Sequence, residues 1–193
     1  MAELEDVLSR LEKVFNSINI KYIIVGGVAI IHYGRLRTTQ DIDIIIEDNY
    51  QKFPTFLEIL KRYDFDVMTE QFYAAYKDKS QVSIFDNKSP LRLDIKIAFK
   101  KNEINILSKA IKKNVLGNEL NISPLEYVLL GKILFIGNIE DIPDSELLEY
   151  QDVLDFITLY HLNKEEIIEV LLNQLVKEVG LNHVLKRLKA IKF

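Results

Sequence analysis

A chain of 193 residues can form one ample domain, or a compact domain with a helical appendage. Hydrophobic residues make up 48% and charged residues 28%, ordinary values for a folded protein. The formal charge of -4 supplies no global attraction to nucleic acid, and the absence of cysteine excludes disulfides, thiolate metal sites and cysteine nucleophiles.

Leu4, Val7, Leu8, Leu11, Val14 and Phe15 recur at helical spacing and predict an amphipathic first helix of about four turns. The same segment is acidic, unlike a cationic, apolar signal peptide, and no later run reaches the ~18 apolar residues of a membrane helix. A cytoplasmic protein with no membrane partner is expected. Richness in Ile, Lys and Glu, with only two Met, points towards a thermophile. Residues 21–25 read as a buried strand ended by Gly26-Gly27, residues 28–34 as a short helix closing at Gly34, and residues 41–47 as a second strand. A helix is predicted over 49–65, with Pro54 best placed in its first turn. Strands over 80–87 and 91–99, separated by a short polar turn, predict an antiparallel hairpin. Residues 103–114 read as helical, and 115–123 as a connector with a short strand. Ser123-Pro124 followed by Glu126 has the form of a capped helix start. Helical spacing then persists over 124–136, 144–160, 164–178 and 181–190. Strands with interleaved helices followed by helices alone predict an α/β core over 1–118 and a helical region over 119–193.

The chemistry concentrates in residues 22–47. On a strand, Asp41 and Asp43 share one face while Ile42 and Ile44 take the other. Two adjacent carboxylates repel unless a cation neutralises them. Hard oxygens so arranged suit Mg²⁺, which completes its shell with water and substrate phosphates. The same pair also suits an exposed edge strand, where charge discourages aggregation. Gly26-Gly27, at a strand-to-helix junction, permits close backbone approach of a ligand near free helical N–H groups. Neither a P-loop nor a G-x-G-x-x-G fingerprint is present.

Val25-Gly26-Gly27, thirteen residues, then Asp41-Ile42-Asp43-Ile44 resembles the signature of the polymerase-β-like nucleotidyltransferase superfamily. With His32, Gly34, Arg37 and Thr39, the longer phrase is most similar to the small prokaryotic nucleotidyltransferases of the AbiEii and MNT types and their uncharacterised relatives. The resemblance implies an α+β fold, a mixed sheet flanked by helices, followed by the C-terminal helical part. It implies that Gly26 and Gly27 hold a nucleoside triphosphate and that Asp41 and Asp43 bind Mg²⁺ or Mn²⁺. A third carboxylate is expected on a neighbouring strand, and Asp94 matches it, although Asp94 could instead pair with Arg92 or Lys96. Arg37, Thr39 and Lys132 match positions that contact the nucleotide; as residues alone, Arg37 also reads as a loop charge and Lys132 as a solvated helix residue. A basic residue is expected just before the Asp152-x-x-Asp155 element, but Gln151 stands there, and no Lys or Arg occurs from Ile133 to Asn163.

The implied reaction is in-line attack by an acceptor hydroxyl on the α-phosphorus, with pyrophosphate leaving. Asp94 would lie nearest the acceptor. RNA, a protein or a small molecule would accept the nucleotide, and a cognate toxin or antitoxin protein is an implied partner. The alternative is a non-catalytic nucleotide-binding or antitoxin-like protein of the same fold, or an interaction domain with no nucleotide affinity. Tyr73 and Tyr76 suit either base stacking or a core. Residues 100–113 carry five lysines against one glutamate, and residues 185–193 end the chain basic; both could touch RNA phosphates or remain solvated faces.

Overall fold

The computed structural model of the chain describes residues 2–139 and 141–191, so the end of the basic terminal stretch lies outside the described residues. Two compact units emerge, Met1–Ala29 with Thr38–Ser123, and Ile30–Arg37 with Pro124–Phe193.

The first unit opens with α1 (Ala2–Asn16), which buries Leu4, Val7, Leu8, Leu11, Val14 and Phe15 along the predicted stripe. Strand β1 (Tyr22–Ile24) is buried throughout and runs into α2 (Gly26–His32), within which the division between units falls. Then come β2 (Asp41–Ile46), α3 (Phe53–Arg62) with Pro54 in its first turn, and β3 (Phe65–Asp66). They are followed by α4 (Thr69–Lys77), β4 (Gln81–Asp86), β5 (Arg92–Ile97), α5 (Lys101–Leu107), β6 (Ile111–Val115) and β7 (Asn118–Ile122). The seven strands lie in the order β3-β4-β5-β2-β1-β7-β6. β2 pairs with β5, and β1 with β7, in parallel; the remaining neighbours are antiparallel.

β4 and β5 form the expected hairpin. Within this unit two segments differ from the sequence reading. The helix expected over 103–114 stops at Leu107, and Ile111–Val115 is an edge strand joined to β7. Leu116 and Gly117 both take positive φ, 48° and 86°, as a tight hairpin turn requires, and the exposed Lys112 and Lys113 charge the sheet edge. Helix α4 was not anticipated because only Phe72 on it is buried, leaving no apolar stripe to detect.

Arg10 ties α1 to β4 and to the end of α3. It is 5% exposed and donates to Asp86 Oδ1 at 2.7 Å and to the Tyr63 carbonyl at 2.9 Å. Its guanidinium lies 4.9 Å from the Phe65 ring centre.

In the second unit, α6 (Leu125–Ile136) packs on α8 (Gln151–Leu162) and α9 (Glu169–Glu178), and α10 (Asn182–Ala190) packs on α8 and α9. Leu129, Ile133, Phe156, Ile157, Leu172, Val176 and Leu188 fill its core. The helix expected over 144–160 is divided into α7 (Asp144–Leu147) and α8. Pro124 is the N-cap of α6, and Glu126 turns inward to accept the Ile168 N–H at 2.7 Å instead of closing a capping box. Among the described residues, no helix is long and apolar enough to cross a membrane.

Candidate active site

The β2–β5 register brings three carboxylates onto neighbouring strands. Asp43 lies opposite Asp94, and Asp41 lies opposite Arg92. Period-two alternation gives Asp41, Asp43 and Ile45 one face, and Arg92, Asp94 and Lys96 the corresponding face of β5. At the Ile45 end that face is covered: Ile45 packs with Ile23, Ala98 and Leu107, the last from α5. Towards the other end the Asp41 side chain remains 36% exposed. One strand face thus passes from packed isoleucine to partly solvated carboxylate.

Gly26 and Gly27 are small because of what stands against them. A Cβ on Gly26 would lie 1.9 Å from Asp43 Oδ2, and its φ of +62° favours glycine in any case. A Cβ on Gly27 would lie 2.5 Å from Thr39 Oγ1. Thr39 in turn donates towards Asp41, with its hydroxyl 2.9 Å from the Asp41 carbonyl and 3.1 Å from Oδ1. The glycine turn and the aspartate pair are therefore in direct contact.

Two further residues organise the acids. Ser83 on β4 donates to Asp94 Oδ1 at 2.6 Å, and Asp94 is only 6% exposed. Arg92 bridges: Nη2 donates to Asp41 Oδ2 at 3.1 Å, and Nε donates to Asp94 Oδ1 and Oδ2 at 3.1 and 3.3 Å. Asp94 chiefly, then Asp41 and Asp43, raise the Arg92 pKa further. Ser83 was missed in the sequence, although the β4 alternation places it on the strand face directly opposite Asp94.

As a donor set, three carboxylates on one face suit a hard divalent cation. As they stand, the described residues gather no three His, Cys, Asp or Glu side chains closely enough to hold a metal. The Arg92 guanidinium lies where Asp41 and Asp94 would converge on one. The residues fit the group in chemistry, with Arg92 as the present counter-ion.

The cations expected to contact phosphate are organised separately, within the second unit. Asp155 is fully buried and receives Arg35 Nε at 2.5 Å, Arg37 Nη1 at 2.6 Å and Lys132 Nζ at 2.9 Å. Lys132 also contacts Asp152 at 2.7 Å, and Arg35 donates to Thr158 at 2.7 Å. Gln151 donates to Asp155 Oδ1 at 2.9 Å. Burial alone would raise the Asp155 pKa, but hydrogen bonds from Lys132 and Gln151 and the charges of Lys132 and Arg37 hold it below the ordinary value. The position expected to be basic is thus an amide, and Arg35 supplies a cation to the same carboxylate.

Tyr73 and Tyr76 join an aromatic cluster with Tyr50, Phe53, Phe72 and Phe99, with centroid spacings of 5.3–5.8 Å for the pairs made by these two tyrosines and by Phe53 with Phe72. Tyr76 also donates to Asp48 at 3.0 Å. The His32 ring packs edge-on against Tyr33.

A family model described as "Nucleotidyltransferase of unknown function" (DUF6036) matches residues 2–86, the stretch that carries the glycine turn and the aspartate pair. No curated protein is detectably similar to the chain. Among solved structures, an antigenic nucleotidyltransferase-like protein from Paracoccidioides brasiliensis is 22% identical, with 98% of this chain and 93% of that chain covered and a TM-score of 0.52. The antibiotic-resistance factor ANT(2″)-Ia is 15% identical in its solution structure, covering 97% of both chains with a TM-score of 0.59. In complex with adenylyl-2″-tobramycin the same protein gives 16% identity, 93% and 99% coverage, and a TM-score of 0.57. These likenesses identify the architecture as the expected nucleotidyltransferase-type α+β fold.

Proposed function

We propose that the chain is a Mg²⁺-dependent nucleotidyltransferase that moves a nucleoside monophosphate from a nucleoside triphosphate to an acceptor hydroxyl. The observation that carries this reading is the register of Asp43 against Asp94, with Asp41 on the same face and Gly26 packed on Asp43. Asp41, Asp43 and Asp94 would hold the metal. When bound, it supplies positive charge to the attacking and leaving oxygens of an in-line displacement.

The chain's own residues do the rest. Gly26 and Gly27 let Asp43 and Thr39 sit directly against the start of α2, and the family resemblance assigns the triphosphate to this turn. Thr39 holds Asp41 in orientation, and Ser83 holds Asp94. Asp94, as the carboxylate nearest the acceptor in this reading, takes up the hydroxyl proton. Arg37 and Lys132 keep the phosphate-contacting role inferred from sequence; with Arg35 they make three cations against Asp152 and Asp155. The ANT(2″)-Ia complex contains an adenylylated tobramycin. By extension, a small polyhydroxylated molecule stands beside RNA and protein as an acceptor class for this chain.

Gln151, in the place of the expected basic residue, favours a second reading, a chain that binds nucleotide without transferring it. One experiment separates the two. Each of the four ribonucleoside triphosphates is titrated calorimetrically with Mg²⁺ against the wild type and Asp43→Asn. The triphosphate that binds is then supplied with an α-phosphorus label alongside RNA, cell protein and aminoglycosides. Metal-dependent binding lost in Asp43→Asn, with label passing to one acceptor, is the expected result. Binding without transfer selects the second reading, and no binding by folded protein rejects both.

A further inference from the structure

The acid face already has a cation of its own. Strand register places Arg92 directly across from Asp41 and two residues before Asp94 on the same face. Its guanidinium uses Asp41 Oδ2 and both Asp94 carboxylate oxygens. These are oxygens that a divalent ion would need. Mg²⁺ takes its oxygens at about 2.0–2.1 Å in a near-ideal octahedron, so it cannot share them with an inserted guanidinium without crowding and like-charge repulsion. Arginine also cannot relieve the conflict by losing its proton.

Exposure shows which partner can move. The Asp94 side chain is 7% exposed and is anchored by Ser83, whereas the Arg92 side chain is 37% exposed. Asp94 is held by the sheet, and Arg92 can swing outward. Once displaced, a planar guanidinium is best satisfied by another anion that accepts two parallel hydrogen bonds, as phosphate does.

We propose that Arg92 is an internal counter-ion that keeps the acid face closed to divalent metal until a nucleoside triphosphate arrives to take over its charge. The inference rests on the metal–triphosphate reading of this site. Metal and nucleotide then load together: the ion takes the Asp41 and Asp94 oxygens, and Arg92 moves to phosphate. Free metal alone binds weakly because it must displace Arg92 without offering it a partner. The carboxylates of Asp41, Asp43 and Asp94 on one face are what draw the ion in once Arg92 is displaced.

The test is Mn²⁺ binding, read by the loss of the free-ion EPR signal, with and without a non-hydrolysable triphosphate analogue. Wild type, Arg92→Gln, Arg92→Lys and Asp43→Asn are compared after circular dichroism and thermal melting establish that each is folded. Without nucleotide, Arg92→Gln is expected to bind Mn²⁺ about tenfold tighter than wild type, and Arg92→Lys to fall between them. The analogue is expected to tighten Mn²⁺ strongly in wild type and much less in Arg92→Gln. Thermal stabilisation by Mn²⁺ alone should likewise be larger in Arg92→Gln, which supplies a second readout if that variant melts early. Equal or weaker Mn²⁺ binding in Arg92→Gln, with binding still lost in Asp43→Asn, overturns the counter-ion role and leaves the site reading in place. No Mn²⁺ binding in any variant, with or without the analogue, overturns both.

Discussion

Asp41 with Asp43 in the first unit, and Asp152 with Asp155 in the second, are both closely spaced aspartate pairs, yet the chain surrounds them in opposite ways. Around Asp41 and Asp43 a third carboxylate, Asp94, is added, Arg92 bridges Asp41 to Asp94, and the Asp41 side chain stays partly solvated. Around Asp152 and Asp155 three cations converge, and Asp155 is fully buried. An uncompensated carboxylate in water costs little and recruits cations. An uncompensated carboxylate in the core is expensive, so the fold supplies its partners in advance. Spacing alone does not distinguish the two pairs; burial and the placing of their charged neighbours do.

The largest test of this contrast is Asp155→Ala. Removing the carboxylate leaves Arg35, Arg37 and Lys132 partly buried without their shared anion, and the cost expected is about 3–5 kcal/mol by urea denaturation. Asp43→Asn, which relieves repulsion at the other pair, should change stability by less than about 1 kcal/mol. Similar losses for the two variants would break the comparison.

Gly26→Ala comes next. A methyl group 1.9 Å from Asp43 Oδ2, at a φ of +62°, forces the aspartate or the turn to move, at roughly 1–3 kcal/mol. It should also weaken metal-dependent nucleotide binding in the calorimetric titration, linking the turn to the acids.

Acid titration sharpens the comparison further. Asp155 and Asp86 both have folded pKa values below the ordinary 3.8; burial opposes this, but hydrogen bonds and charges from Lys132 and Gln151 in one case, and Arg10 and Ser89 in the other, prevail. A depressed folded value means that the unfolded chain binds protons more readily. The stabilisation is therefore complete above about pH 5 and is lost as pH falls through the folded values. Melting temperature should hold near-level above pH 5 and drop steeply below pH 4, and Asp155→Asn should flatten part of that drop.

Ser83→Ala is expected to act more weakly than Gly26→Ala. Loss of its hydrogen bond to Asp94 should cost about 1–2 kcal/mol of stability. Its effect on Mn²⁺ affinity should be no more than the roughly 10–100-fold typical of groups that orient a metal ligand.

Where the sequence could be read directly, local physics settled the matter. The α1 stripe, the β4–β5 hairpin and the same-face placement of Asp41 and Asp43 follow from periods of 3.6 and 2, which need no knowledge of distant residues. Residues 103–114 defeated that reasoning because Ile104, Ile106, Leu107, Ala110 and Ile111 suit a helix as written. Only pairing with β7 makes Ile111–Val115 a strand. Gln151 likewise looks like a missing charge until Arg35, more than a hundred residues earlier in the chain, is found on Asp155.

By itself, the sequence determined the local features on which the proposal is built: alternation put Asp41 and Asp43 on one strand face, glycine marked the turn at Gly26 and Gly27, and the family resemblance pointed to Asp94. Tertiary structure alone decided their company: the register that sets Asp43 beside Asp94, the Ser83 anchor, and the Arg92 bridge from Asp94 to Asp41. Charge compensation acts through space at distances of about 3 Å, and folding rather than spacing along the chain brings charges that close.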